Sequence, residues 1–197
     1  MGQYALRDIG GRRENLLALD TAVDEFGRRL ALVSASSWDL PTPCVPWDVR
    51  YLAAHVIGGN RFATSILDGM AAADAIELVM SSPQLGHDAL DAWRTTAATQ
   101  RSAFHAKPLD ASVDHPLGPI PTATFLGFRV FDITLHAWDL ARSIGVDAAL
   151  DPSLVEVVLG VIESSPPGMG FGISSLGRTT VSSTPQKRLL DLAGRPA

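Results

Sequence analysis

One 23-residue stretch, from Thr122 to Ile144, constrains the fold of this chain more than any other. Pro121 precedes it and Gly145 follows it, a proline where a helix can begin and a glycine where it can end. Between them Phe125, Leu126, Phe128, Val130, Phe131, Ile133, Leu135, Trp138, Leu140 and Ile144 surround a helix on nearly every side. A helix that is apolar all round has to lie at the centre of a fold, with amphipathic helices packed about it.

The chain supplies such partners. Leu16, Leu19, Val23, Phe26, Leu30 and Val33 repeat at helical spacing and predict a first helix over about 11–35. Three prolines in Pro41-Thr42-Pro43-Cys44-Val45-Pro46 stop it. Asp48 can then cap a second helix, running to about residue 70 with Leu52, Val56, Phe62 and Ile66 on its inner face. A short helical connection over 71–82 leads to Ser82-Pro83, which opens a third long helix ending near 106. The segment from Lys107 to Pro121 reads as loop. Beyond the central fourth helix, Asp151 or Ser153 can cap a fifth that ends near Glu163, and 185–192 forms a last short one. Pro166 to Gly177 is loop, and Thr179-Thr180-Val181 is the best strand candidate. With 197 residues, 46% of them hydrophobic, the expected architecture is all-α: one domain over 1–197, a four-helix bundle with short appended helices and a small extension from about 164.

Charge and cysteine content exclude several functions. A net charge of −5 without a basic run argues against nucleic acid and anionic membranes, and leaves a small-molecule substrate or a protein partner. Cys44 is the only cysteine, so neither an internal disulfide nor a thiolate-rich zinc site can form. Together with the lack of a signal-peptide pattern and of a membrane-length apolar segment, this makes the cytoplasm the expected location. Arginine outnumbers lysine fourteen to two, the mark of a GC-rich genome. A homodimer is the expected assembly if the chain associates at all.

Against that apolar background two polar residues stand out. Asp132 and His136 are four apart and so share one face of the central helix. A buried carboxylate needs a compensating charge, and a divalent cation held between facing helices supplies one. A zinc-like catalytic site takes three protein ligands and keeps a position open. His55, on the inward stripe of the second helix with Leu52 and Val56, is the candidate third, and Gly58-Gly59 beside it leave room for an approaching helix or ligand. A hydrogen-bonded core pair, Asp132 with His136 or with Arg129, satisfies the same spacing. Arg129 and Arg50 are candidate anchors for a substrate carboxylate. His87, His105 and His115 read as solvated, and Cys44 as packed, Arg50 being its only nearby basic residue in sequence. The four tryptophans read as core or helix-end anchors.

Thr42-Pro43-Cys44-Val45-Pro46-Trp47-Asp48-Val49-Arg50-Tyr51-Leu52-Ala53-Ala54-His55-Val56 resembles the entry to the second helix of the mycothiol-dependent maleylpyruvate isomerase N-terminal family, a branch of the DinB-like metal-binding bundles. Phe131-Asp132-Ile133-Thr134-Leu135-His136-Ala137-Trp138-Asp139-Leu140-Ala141-Arg142 resembles its fourth-helix signature, and Arg188 to Pro196 is similar to the ending of a short actinobacterial branch. The resemblance implies a DinB-like bundle whose divalent metal, zinc by expectation, is held by His55, Asp132 and His136. It implies mycothiol as co-substrate and an isomerase or S-transferase acting on a small electrophile. The alternative is a non-catalytic metal- or ligand-binding module. Two features depart from the isomerase proper: Asp132 stands where it carries Glu, and only about 50 residues follow the fourth helix, where it has a further domain.

Overall fold

The computed structural model describes residues 12–82, 84–164 and 184–195. The helices are α1 (Arg12–Leu30), α2 (Val49–Leu67), α3 (Ala72–Ser81), α4 (Ala89–Ala106), α5 (Thr122–Ile144), α6 (Pro152–Ser164) and α7 (Pro185–Leu192). Helices α1, α5, α2 and α4 pack in that cyclic order, each against its two neighbours, and close a four-helix bundle. Helix α6 lies on α1 and α5, and α7 lies on α6. The expected all-α bundle with short appended helices is the observed one.

Helix α5 is the axis of the molecule. Seventeen of its 23 residues are buried, which only a helix enclosed by others can achieve. It ends where Gly145 enters the left-handed region at φ 72° and donates its N–H to Ala141 O. The caps expected for α2 and α6 form: Asp48 accepts from the Tyr51 N–H, and Asp151 from those of Ser153 and Leu154. Phe26, Leu52, Phe104, Leu126 and Leu135 fill the core between the four long helices.

Two helix boundaries and one loop differ from the sequence expectation. Helix α1 stops at Leu30 rather than near 35, because Leu32 and Val33 N–H groups fall back on the i−3 carbonyls of Arg29 and Leu30. The hydroxyls of Ser34, Ser36 and Ser37 then bond to one another in a turn. Helix α4 begins at Ala89, not at Ser82-Pro83, because the Asp88 carboxylate caps the N–H groups of Leu90 and Asp91. The loop before α5 carries a two-residue antiparallel ribbon, β1 (Ser112–Val113) with β2 (Ile120–Pro121), in the register Ser112 with Pro121 and Val113 with Ile120. This ribbon brings His115 against Phe62, Phe125 and Phe128, so it is half-buried rather than fully solvated. Burial lowers its pKa against a small opposing pull from Asp114. His87 and His105 are exposed, as expected. The strand candidate at Thr179–Val181 and the loop from Pro166 to Gly177 fall outside the described residues. No described helix is long and apolar enough to cross a membrane.

Because Leu126 is fully enclosed while Leu117 is 56% exposed, Leu126→Ala is expected to cost about 2–5 kcal/mol and Leu117→Ala under about 0.5 kcal/mol. Urea unfolding followed by circular dichroism measures both.

Candidate metal centre

The site is built on one stripe of α5. Arg129, Asp132, His136 and Asp139 follow at intervals of three, four and three residues, which stacks them along a single face. Helix α2 brings His55 opposite them. His55 Nε2 lies 3.2 Å and His136 Nε2 3.4 Å from Asp132 Oδ1, and the two imidazoles meet edge to face. Donors of a four-coordinate zinc at about 2.0–2.3 Å lie roughly 3.3–3.7 Å apart, so this spacing fits a single ion. Two imidazoles and a carboxylate, with ligand atoms all within 4.8 Å of one another, make a donor set suited to a divalent metal with an open position. The His136 side chain is 8% exposed and that of His55 38%, so the centre opens to solvent on the α2 side.

Two of the three candidate ligands, His136 and Asp132, are held from behind. The Asp139 carboxylate accepts from His136 Nδ1 at 2.9 Å, which leaves Nε2 as the nitrogen facing Asp132 and His55. Arg129 Nη1 donates to Asp132 Oδ2 at 2.8 Å, which leaves Oδ1 for the histidines. The guanidinium is itself fixed by Gln100 Oε1, Asn60 Oδ1 and the Val56 carbonyl, and Asn60 donates in turn to Thr96. It can lie there only because residue 59 is glycine: a Cβ at Gly59 would fall 2.3 Å from Arg129 Nη1. The room left by Gly58-Gly59 is thus taken in part by this arginine. Trp47 closes the remaining side, its ring centroid 4.7 Å from that of His55 and 5.6 Å from that of His136.

Burial works against charge on Asp132, but His136 and Arg129 outweigh it and hold the carboxyl well below its usual value. Burial likewise opposes protonation of His136, but Asp132 and then Asp139 outweigh it and raise its pKa well above 6.5. The metal-free centre is therefore an imidazolium between two carboxylates, and an incoming cation displaces a proton.

A cleft of about 460 Å³ opens beside the centre. Tyr51, His55, Phe62, Met80, Arg129 and Asp132 are among its lining residues. The other substrate-anchor candidate, Arg50, is directed to Asp39 at 3.2 Å and lies over the Trp38 ring.

Three contributors were missed in the sequence. Asn60 and Gln100 read as ordinary helix positions, and nothing local marks them as the support of a buried arginine. Arg195 donates to both Asp139 oxygens, Nε to Oδ1 at 2.9 Å and Nη2 to Oδ2 at 2.8 Å, from a point 56 residues further along the chain. Cys44 is not simply packed. Its Sγ lies 3.1 Å from Asp139 Oδ2 and 3.2 Å from Arg195 Nη2, so its basic neighbour is Arg195 rather than Arg50.

Fold and site together define a DinB-like helical bundle with a metal-capable His–Asp–His centre. The sequence profile of the mycothiol maleylpyruvate isomerase N-terminal domain matches residues 19–141. The chain belongs to that family. Uncharacterised proteins from two strains of Mycobacterium tuberculosis are each 38% identical to it over 141 residues, 71% of this chain and 72% of theirs. Two crystal structures of the mycothiol-dependent maleylpyruvate isomerase, one of them a histidine-to-alanine mutant, share the fold. The mutant superposes with a TM-score of 0.63 at 18% identity, the other with 0.62 at 16%; each match covers 82% of this chain and 70% of the isomerase.

Two outcomes follow for the centre. Gly59→Ala is expected to displace Arg129 and weaken zinc binding by about tenfold or more, measured by competition with a chromogenic chelator. The second concerns pH. The raised pKa of His136 contributes stability that is full below 6.5 and lost as pH rises through the folded value; the lowered pKa of Asp132 contributes stability that is full above 3.8 and lost as pH falls through the folded value. Chelator-treated protein is thus expected to melt at a lower temperature as pH rises from 6.5 through the His136 value. Zinc affinity should move the opposite way, rising up to about tenfold per pH unit while one proton must leave.

Proposed function

We propose that the protein is a divalent-metal-dependent enzyme that uses a low-molecular-weight thiol, mycothiol, to act on a small electrophile. Isomerisation or S-transfer is the reaction type. The observation that carries this reading is the convergence of His55 Nε2, Asp132 Oδ1 and His136 Nε2 beside a cleft of about 460 Å³. Family membership supplies the thiol, since the solved relatives are described as mycothiol-dependent.

His55, Asp132 and His136 would hold the metal, with zinc the metal best suited to this donor set. When bound, such an ion supplies Lewis acidity that lowers the pKa of a coordinated thiol. The chain's own residues prepare the place. His136 and Arg129 keep Asp132 ionised, and Arg129 holds Oδ2 so that Oδ1 faces the histidines. Asp139 holds the proton at His136 Nδ1, so Nε2 offers a lone pair once its own proton has left. Trp47 lies against the two imidazoles, and Phe62 and Met80 give the cleft an apolar side. Arg129, with four neighbours already taking its donors, serves the carboxylate of Asp132 more directly than that of a substrate.

Isothermal titration of zinc-loaded protein with mycothiol tests this. Micromolar or tighter binding is expected, with a loss of at least about tenfold in His136→Ala. Equal thiol binding by wild type and His136→Ala removes the thiol from the metal centre. Zinc uptake with no thiol binding at all makes the protein a metal-binding module instead.

A further inference from the structure

A second set of donors stands back to back with the first. Cys44 Sγ, His136 Nδ1 and Asp139 Oδ2 are separated by 3.1 Å, 3.9 Å and 2.9 Å. A thiol, an imidazole nitrogen and a carboxylate so placed can hold a metal ion in their own right. A thiolate is also the stronger ligand for zinc-like ions than the carboxylate of the first set. The two sets share one ring: Nε2 of His136 faces His55 and Asp132, and Nδ1 faces Cys44 and Asp139. A cation entering this part of the bundle therefore meets two competing positions.

The position on the Nδ1 side already holds a positive charge. Arg195 grips both oxygens of Asp139 through Nε and Nη2, and the same Nη2 reaches Cys44 Sγ at 3.2 Å. Its side chain is only 13% exposed and Asp139 is fully buried, so the pair is poorly screened by water. Guanidinium does not lose its proton in a protein, and its planar fork fixes the carboxylate in two bonds.

We propose that Arg195 is a positioning residue that acts as a built-in cation: it pins Asp139 on His136 Nδ1 and denies the Cys44 side to metal, confining the ion to His55, Asp132 and His136. This rests on the metal-dependent reading above. An ion taken by Cys44 would spend a coordination position on the protein's own sulfur and would sit on the far side of the imidazole from the cleft. With Arg195 in place, Cys44 Sγ is kept from the ion, and a coordination position is left for the sulfur of an incoming thiol.

Cobalt(II), titrated into the full chain under reducing conditions, separates the two positions, because a cobalt–thiolate bond gives a charge-transfer band in the near ultraviolet. Wild type is expected to take up one equivalent without that band. Arg195→Ala and the bulkier neutral Arg195→Gln are expected to bind at the first position about 10–100-fold more weakly and to gain the band. Adding Cys44→Ser to either variant should abolish it. Arg195→Lys keeps the charge without the fork and should suppress the band while recovering only part of the affinity. Far-ultraviolet circular dichroism selects the folded variants, so that either neutral substitution suffices.

A thiolate band in wild type overturns the inference. So does a folded neutral variant that binds cobalt as wild type does and shows no band. Wild type that takes no cobalt, beside a neutral variant that binds it through Cys44, removes the functional reading and leaves the role of Arg195 standing. If neither binds, both fall.

Discussion

Four ionisable groups on one stripe of the most buried helix set the terms for the rest of this structure. Arg129, Asp132, His136 and Asp139 alternate in charge along α5, and none can stay ionised there unaided. Helices α4 and α2 and the residues after α7 answer them. Helix α4 gives Gln100 to Arg129, and α2 gives Asn60 to Arg129 and His55 to Asp132. Residues beyond α7 give Arg195 to Asp139. The surrounding hydrophobic core fixes where the helices lie, but the ionic stripe fixes their rotation: turning α5 by one residue would part the buried charges from their partners. The same pairing that makes the stripe tolerable in the metal-free state also aims its oxygen and nitrogen atoms at one point.

The helices of the bundle were legible because their signals are local. Apolar repeats at 3.6-residue spacing, Asp48 before α2 and Gly145 after α5 each act within a few residues. The boundaries that shifted did so where two local signals competed, as at Ser82-Pro83 against Asp88. The ligand face was legible in part: spacing alone placed Asp132 with His136, whereas His55 became firm only through the resemblance of two long motifs to a family. Arg195 was not legible, because its role exists only after the chain has returned to the bundle from α7. The polar contacts of Cys44 were not legible for the same reason, since the arginine that reaches its sulfur lies 151 residues away. Arg129 was correctly placed beside the site, yet its donors are taken up by Gln100, Asn60 and Asp132, which no spacing rule anticipates.

The family relationship and the geometry carry different parts of the account. A bundle shared with an isomerase at 18% identity speaks for the fold and not for the reaction. The present chain has an aspartate at the acidic position, one methylene shorter than the glutamate expected for the isomerase. Its carboxylate is held close to the helix by Arg129, and His55 reaches across to meet it at 3.2 Å. The shorter acid is thus accommodated by its neighbours rather than left short of them.

The α3 wall of the cleft is not part of this arrangement. Helix α3, which brings Ile76, Val79 and Met80 to it, packs on α2 and stands outside the bundle, with Met80 79% exposed. Residues that would touch a substrate there make no contribution to the ionic stripe. Substitutions along α3 can therefore accumulate without disturbing the residues that gather His55, Asp132 and His136. Such a division lets the wall beside the centre vary while the centre itself stays constant, so what the cleft admits can change without any change in the polar residues behind it.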